Sequence, residues 1–134
     1  MPFIVEQIND EPIMTMTSRG FVTSQDALEM SEACAVLMDK IGTPTYWILD
    51  VSNSQSDFQQ LFNIILTQSK GKPGTATDPR GIGAIVGTNP LIKLFQNAIK
   101  QRQFGGMNLP MFTSMDSALA AIRLQIVQKT SRLA

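Results

Sequence analysis

Hydrophobic and polar positions follow two periods along this chain, and the switches between them mark out its elements. Residues 3–8 form a short apolar run with β-branched members, followed by the turn signal Asn9-Asp10-Glu11-Pro12. The next stretch, Ile13-Met14-Thr15-Met16-Thr17, alternates with period two, as a strand with one buried face does. Two strands this close predict an antiparallel hairpin. Arg19-Gly20 is expected to break the second strand. Thr23 or Ser24 can cap a helix, and Asp26 suits its first turn. Apolar residues then recur at Ala27, Met30, Cys34, Leu37 and Ile41, one stripe at helical spacing. Gly42 and Pro44 end that helix.

Residues 46–51 are almost continuously apolar, as in a central strand covered on both faces. Residues 52–56 are expected to form a polar loop, and Ser56 with Gln59 has capping-box spacing. Phe58, Leu61, Phe62 and Ile65 give the helical stripe that follows. Residues 67–81, TQSKGKPGTATDPRG, lack apolar periodicity and predict a loop longer than the usual connection. Residues 82–86 form another buried strand. Asn89 then serves as N-cap and Pro90 as the first residue of a helix with Leu91, Leu94, Phe95 and Ala98 on its core face. A short last strand falls around 109–112, where Pro110 argues for an edge position. Ser114 caps a final helix that uses Met115, Ala118, Leu119, Ile122 and Ile126. The order is β-β-α-β-α-β-α-β-α. It predicts an α/β fold with a mixed sheet, an N-terminal antiparallel hairpin followed by parallel strands, and helices on the sheet faces. No repeat or boundary divides the chain, so residues 1–134 read as a single domain.

Composition narrows the chemistry. With 134 residues, 43% apolar and 16% charged, the chain has the size and make-up of one globular domain. It contains no histidine, which removes Ser-His-Asp and Cys-His catalysis and every His-ligated metal centre. Its one cysteine, Cys34, lies on the apolar stripe and reads as a buried structural thiol. The eight methionines fall mostly at core positions. The first residues lack a basic n-region and an apolar h-region, and no apolar run approaches the ~20 residues needed to span a bilayer. The expectation is a cytoplasmic protein without membrane insertion. The formal charge is zero, which gives no reason to expect nucleic acid as a partner.

That zero conceals an asymmetry. Residues 1–57 carry nine acids against Arg19 and Lys40, a balance of −7. Residues 58–134 carry nine bases against Asp78 and Asp116, a balance of +7. Halves on different faces would make a dipolar molecule suited to docking with itself or a charged partner. Halves interleaved in one sheet would cancel locally.

Candidate sites gather where strands meet helices. The Gly87-Thr88-Asn89-Pro90 turn, with Lys93 one turn further on, could hold an anion at a helix start, although Asn-Pro is more simply read as an ordinary helix start. Neither GxGxxG nor GxxxxGKS is present, so a nucleotide fingerprint is absent. Asp50 and Asp57 bracket the loop that carries Ser52 and Ser54. Two carboxylates suit a divalent cation or acid–base work, but without a third ligand or a histidine no metal, cofactor or catalytic residue is predicted. Lys70, Lys72 and Arg80 make the 67–81 loop basic; it could close over an acidic ligand, stand in solvent or form a dimer contact.

The element order, with Trp47-Ile-Leu-Asp50-Val51-Ser52 through Leu61, Ile85-Val-Gly87-Thr-Asn-Pro90-Leu-Ile-Lys93-Leu-Phe95 and Phe112-Thr-Ser-Met-Asp-Ser-Ala118-Leu119, resembles the STAS family, the fold of bacterial anti-sigma factor antagonists. It also looks like a related group of antagonist-like or lipid-transfer-like single-domain proteins. Regulatory antagonists carry a phosphorylatable Ser just after an Asp at the start of the helix that follows this strand. Here Asp57 is followed by Phe58 and Gln59, and the nearby hydroxyls are Ser54 and Ser56. The resemblance implies a non-enzymatic regulatory or protein-interaction module, homodimeric or bound to another protein. The alternative is a binding module for a small anionic or lipid-like ligand near the strand carboxyl ends, held by Asp50, Ser52, Ser54, Asp57, Gly87, Thr88, Asn89 and Lys93. An enzyme built on Asp50, Asp57 and Lys93 would need those three side chains in one pocket.

Overall fold

A computed structural model describes residues 3–133. Five strands form one sheet in the order β1-β2-β3-β4-β5. β1 (Phe3–Gln7) pairs antiparallel with β2 (Ile13–Phe21), placing Val5 opposite Met16. β2, β3 (Thr45–Gln55), β4 (Gly81–Val86) and β5 (Met111–Phe112) run parallel. Between and after them come α1 (Ser24–Ile41), α2 (Phe58–Gln68), α3 (Pro90–Lys100) and α4 (Met115–Leu133). The mixed sheet and the element order match the expectation, with β5 reduced to two edge residues.

Each parallel strand joins on the same side of the one before it. Right-handed crossovers then place α1, α2 and α3 on one face and leave the other to α4. Two apolar clusters bear this out. Met14, Met16, Cys34, Trp47, Leu61 and Phe95 belong to the three-helix side. Ile13, Tyr46, Ile48, Ala84, Ala118 and Ile122 belong to the α4 side. β3 shows the period-two logic directly, since Trp47 and Leu49 point one way while Tyr46 and Ile48 point the other.

Trp47 also explains the glycines of β4, where it lies opposite Gly83. A Cβ on Gly83 would lie 2.0 Å from Cζ2 of the indole, and one on Gly81 would lie 2.8 Å from Nε1. The ring occupies the space that two side chains would otherwise fill.

The structure corrects several boundaries. Arg19-Gly20 does not end β2; a bulge after Thr17 and a positive φ of 69° at Gly20 let the strand continue to Phe21. Residues 52–55 are strand rather than loop, because Asn53, Ser54 and Gln55 pair with Arg19, Gly20 and Phe21. Ser56 does not cap α2. Asp57 does, its Oδ1 accepting from the Gln60 N–H at 2.8 Å, while the Ser56 hydroxyl donates to the Val22 carbonyl at 2.9 Å. On α3 the buried residues are Phe95 and Ile99, and Leu94 is exposed. Helix α1 starts with a reciprocal box: Thr23 Oγ1 accepts from the Asp26 N–H, and Asp26 Oδ2 accepts from the Thr23 N–H.

The 67–81 loop is shorter than expected and is not a solvated excursion. α2 runs to Gln68, and Thr75, Ala76, Thr77 and Asp78 are buried. A Cβ on Gly74 would lie 1.9 Å from the Ser31 carbonyl oxygen, so the loop backbone rests on α1. The Gln68 side chain bridges them, donating to Ser31 Oγ and accepting from the Ala76 N–H. Arg80 ties the far end down through Asp78 and Asp39.

The two charged halves of the sequence interleave. Arg80 pairs with Asp39 at 2.6 Å and Arg123 with Glu11 at 2.8 Å, each joining the basic half to the acidic one. No helix of the described residues is long and apolar enough to cross a membrane.

Candidate functional site

Two features stand out in the fold, a partly open apolar cavity and an uncovered helix face. The cavity, about 120 Å³, lies between the three-helix face of the sheet and the helices above it. Its floor includes Met14, Met16 and Trp47 from β2 and β3. Its walls include Ala27 and Met30 of α1, Leu61 and Ile64 of α2, and Leu91 and Phe95 of α3. At the carboxyl ends of the strands, Ser18 and Ser54 line it and hydrogen-bond to each other. The other polar groups around it are mostly engaged within the protein. Ser31 accepts from Gln68, Asn89 Oδ1 accepts from the Leu91 N–H, and Asp26 is committed to its cap.

Of the residues singled out from the sequence, Ser54 and Asn89 line this cavity. Asp50, Ser52, Asp57, Gly87, Thr88 and Lys93 are not among its described lining residues. Asp50 Oδ1 accepts from the Ser52 N–H at 3.0 Å, and Asp57 caps α2. Gly87, with φ +151°, faces Val51, whose Cγ2 a Cβ there would approach to 2.9 Å. Thr88 and Lys93 are exposed. Among the described residues, no group of three or more Cys, Asp and Glu is placed to hold a metal ion.

The sequence reading missed most of the cavity wall. Four of its members, Met14, Met16, Met30 and Met38, belong to the eight methionines assigned to the core. The signal was their number, since methionine is the side chain that adapts to an irregular space.

The second feature is the outer face of α2. Phe58, Phe62 and Leu66 lie four residues apart on one helix face and are 67%, 48% and 38% exposed. Its inner face buries Leu61 and turns Ile64 to the cavity. α2 is therefore apolar on both sides, and its sequence FQQLFNIILTQ contains no charged residue. A helix of that kind is normally covered all round.

The sheet order, the single antiparallel edge and the division of helices define a STAS-like α/β domain, the SpoIIAA-like fold. Solved structures with that fold align over most of the chain. An anti-sigma factor antagonist, SpoIIAA in its unphosphorylated form, is similar with a TM-score of 0.60 at 12% identity, over 90% of this chain and 97% of that one. An uncharacterized protein of the DUF3478 family from Shewanella loihica, described as having a SpoIIAA-like fold, gives 0.57 at 16% identity, over 88% and 90%. An anti-sigma factor antagonist from Mycobacterium paratuberculosis gives 0.54 at 15% identity, over 90% and 92%. No protein-family profile and no curated protein matches the chain.

Proposed function

We propose that this chain is a non-enzymatic regulatory module that works by docking a protein onto the outer face of α2. The uncovered Phe58–Phe62–Leu66 stripe is the observation that carries the reading. Apolar surface of this kind marks interaction sites, and aromatic residues supply much of the contact energy when buried. The fold shared with anti-sigma factor antagonists supports a regulatory role. The residue after Asp57 at the helix start is Phe58, so the regulation proposed rests on docking rather than on a phosphate at that position.

The partner proposed is a second copy of the chain. In a two-fold dimer each patch meets a copy of itself, so a patch carrying charge of one sign would repel its copy. α2 has no charge of either sign, which makes the stripe compatible with itself. Sedimentation velocity over a concentration series tests this against the 14.7 kDa monomer mass, with Phe62→Asp as the comparison. The expected result is association of the wild type that the variant loses while keeping its melting temperature. A chain that stays monomeric and captures no protein would remove the support.

A further inference from the structure

We propose that the cavity beneath α1 holds the alkyl chain of a small ligand whose head is neutral. This rests on the interior of the three-helix face and stands apart from docking on α2. The volume of about 120 Å³ is close to that of an engineered apolar cavity of roughly 150 Å³ that stays dry and takes up benzene. It therefore has room for on the order of six carbons. Its methionines are the side chains best able to close around a flexible chain.

The head follows from what is left unused at the strand ends. Among the described residues, the Ser18 and Ser54 hydroxyls hydrogen-bond only to each other. Each hydroxyl has one hydrogen to donate and two sites to accept. One hydrogen joins the pair, which leaves one donor and several acceptor sites for a ligand. Among the described lining residues none is Lys or Arg, and the one acid, Asp26, is held by the Thr23 N–H. A charged head would enter without a counter-ion, at a large desolvation cost. The ligand class is a medium-chain alcohol, amide or ester. Lys93, the cation nearest the turn singled out in the sequence, is not part of the lining.

Trp47 is the only tryptophan and lines the cavity, so its fluorescence reports occupancy. The full chain is titrated with ω-bromo-hexanol and with ω-bromo-hexanoate at neutral pH, the bromine acting as a contact quencher. Saturable quenching by the alcohol is expected, with binding of the carboxylate weaker by about tenfold or more. Ala27→Leu, which fills the cavity from α1, should abolish the quenching without lowering the melting temperature. If that variant misfolds, Ile64→Phe closes the space from the opposite wall and must give the same loss. Phe62→Asp, on the outer stripe, should leave the quenching unchanged. Linear quenching without saturation, equal binding of the carboxylate, or loss in Phe62→Asp would each overturn the proposal.

Discussion

Gly83→Ala is a test in which local preference and packing predict opposite signs. Glycine within a strand costs about 0.5–1 kcal/mol relative to alanine, so preference alone predicts a gain. The structure predicts a loss. A Cβ at Gly83 would lie 2.0, 2.2 and 2.4 Å from Cζ2, Cε2 and Cη2 of Trp47. Carbon atoms in contact sit about 3.5–4.0 Å apart, so the indole must retreat by roughly 1.5 Å. The ring is 4% exposed and packed within the three-helix core, so even a retreat toward the cavity it lines breaks the contacts it now makes. Overpacking typically costs 1–3 kcal/mol, and this displacement belongs at the upper end, about 3 kcal/mol. For a domain of this length that is a fall in Tm of about 10 °C. Urea unfolding followed by far-UV circular dichroism measures it without relying on the indole. Trp47→Phe removes the benzo ring that the new methyl would strike. The double variant should therefore be less destabilised than the sum of the singles, by about 1–2 kcal/mol. A neutral or stabilising Gly83→Ala, or strict additivity with Trp47→Phe, would refute the packing argument.

Two further outcomes follow from other parts of the fold. The buried Asp78 carboxylate accepts from the Gly74 and Arg80 N–H groups and from the Arg80 guanidinium. Burial alone would raise its pKa, but those donors outweigh it and hold the group below its ordinary value. Its contribution is present above the unfolded value of about 3.9 and is lost as pH falls through the lower folded value. Asp78→Asn should cost on the order of 3 kcal/mol at neutral pH and flatten the acid side of a urea-stability profile; unchanged neutral stability would contradict this. Burial pushes the Cys34 thiol up to about 12, and its Sγ lies 3.0 Å from Met16 Sδ. Labelling by a thiol-reactive dye should therefore track unfolding across a denaturant series, and rapid labelling of the native protein would contradict it.

The fold was legible where side chains repeat. Trp47 and Ile48 fall on opposite faces of β3 and both are buried, so a nearly unbroken apolar run gave the central strand. The tails of β2 and β3 were not legible. Asn53 and Gln55 are exposed, and what makes them strand is backbone pairing with Arg19 and Phe21, which leaves no apolar trace. The 67–81 loop misled for a related reason: small polar residues such as Thr75 and Thr77 are buried because their hydroxyls find backbone carbonyls. The apolar spacing of α2 was visible, but spacing cannot distinguish Leu61, which faces the sheet, from Phe62, which faces out. The cavity belongs to three helices and three strands at once, so only its methionine content was readable from the chain.

The most direct test of docking through α2 is a dilution series followed by NMR, with assigned side-chain signals of Phe58, Phe62 and Leu66. Leu124 and Val127 on α4 are 58% and 60% exposed and serve as an apolar control surface. Concentration-dependent shifts confined to the α2 residues, with α4 unmoved, are predicted. Signals on α2 that do not change with concentration, or shifts centred on Leu124 and Val127, would contradict the α2 face as the docking surface.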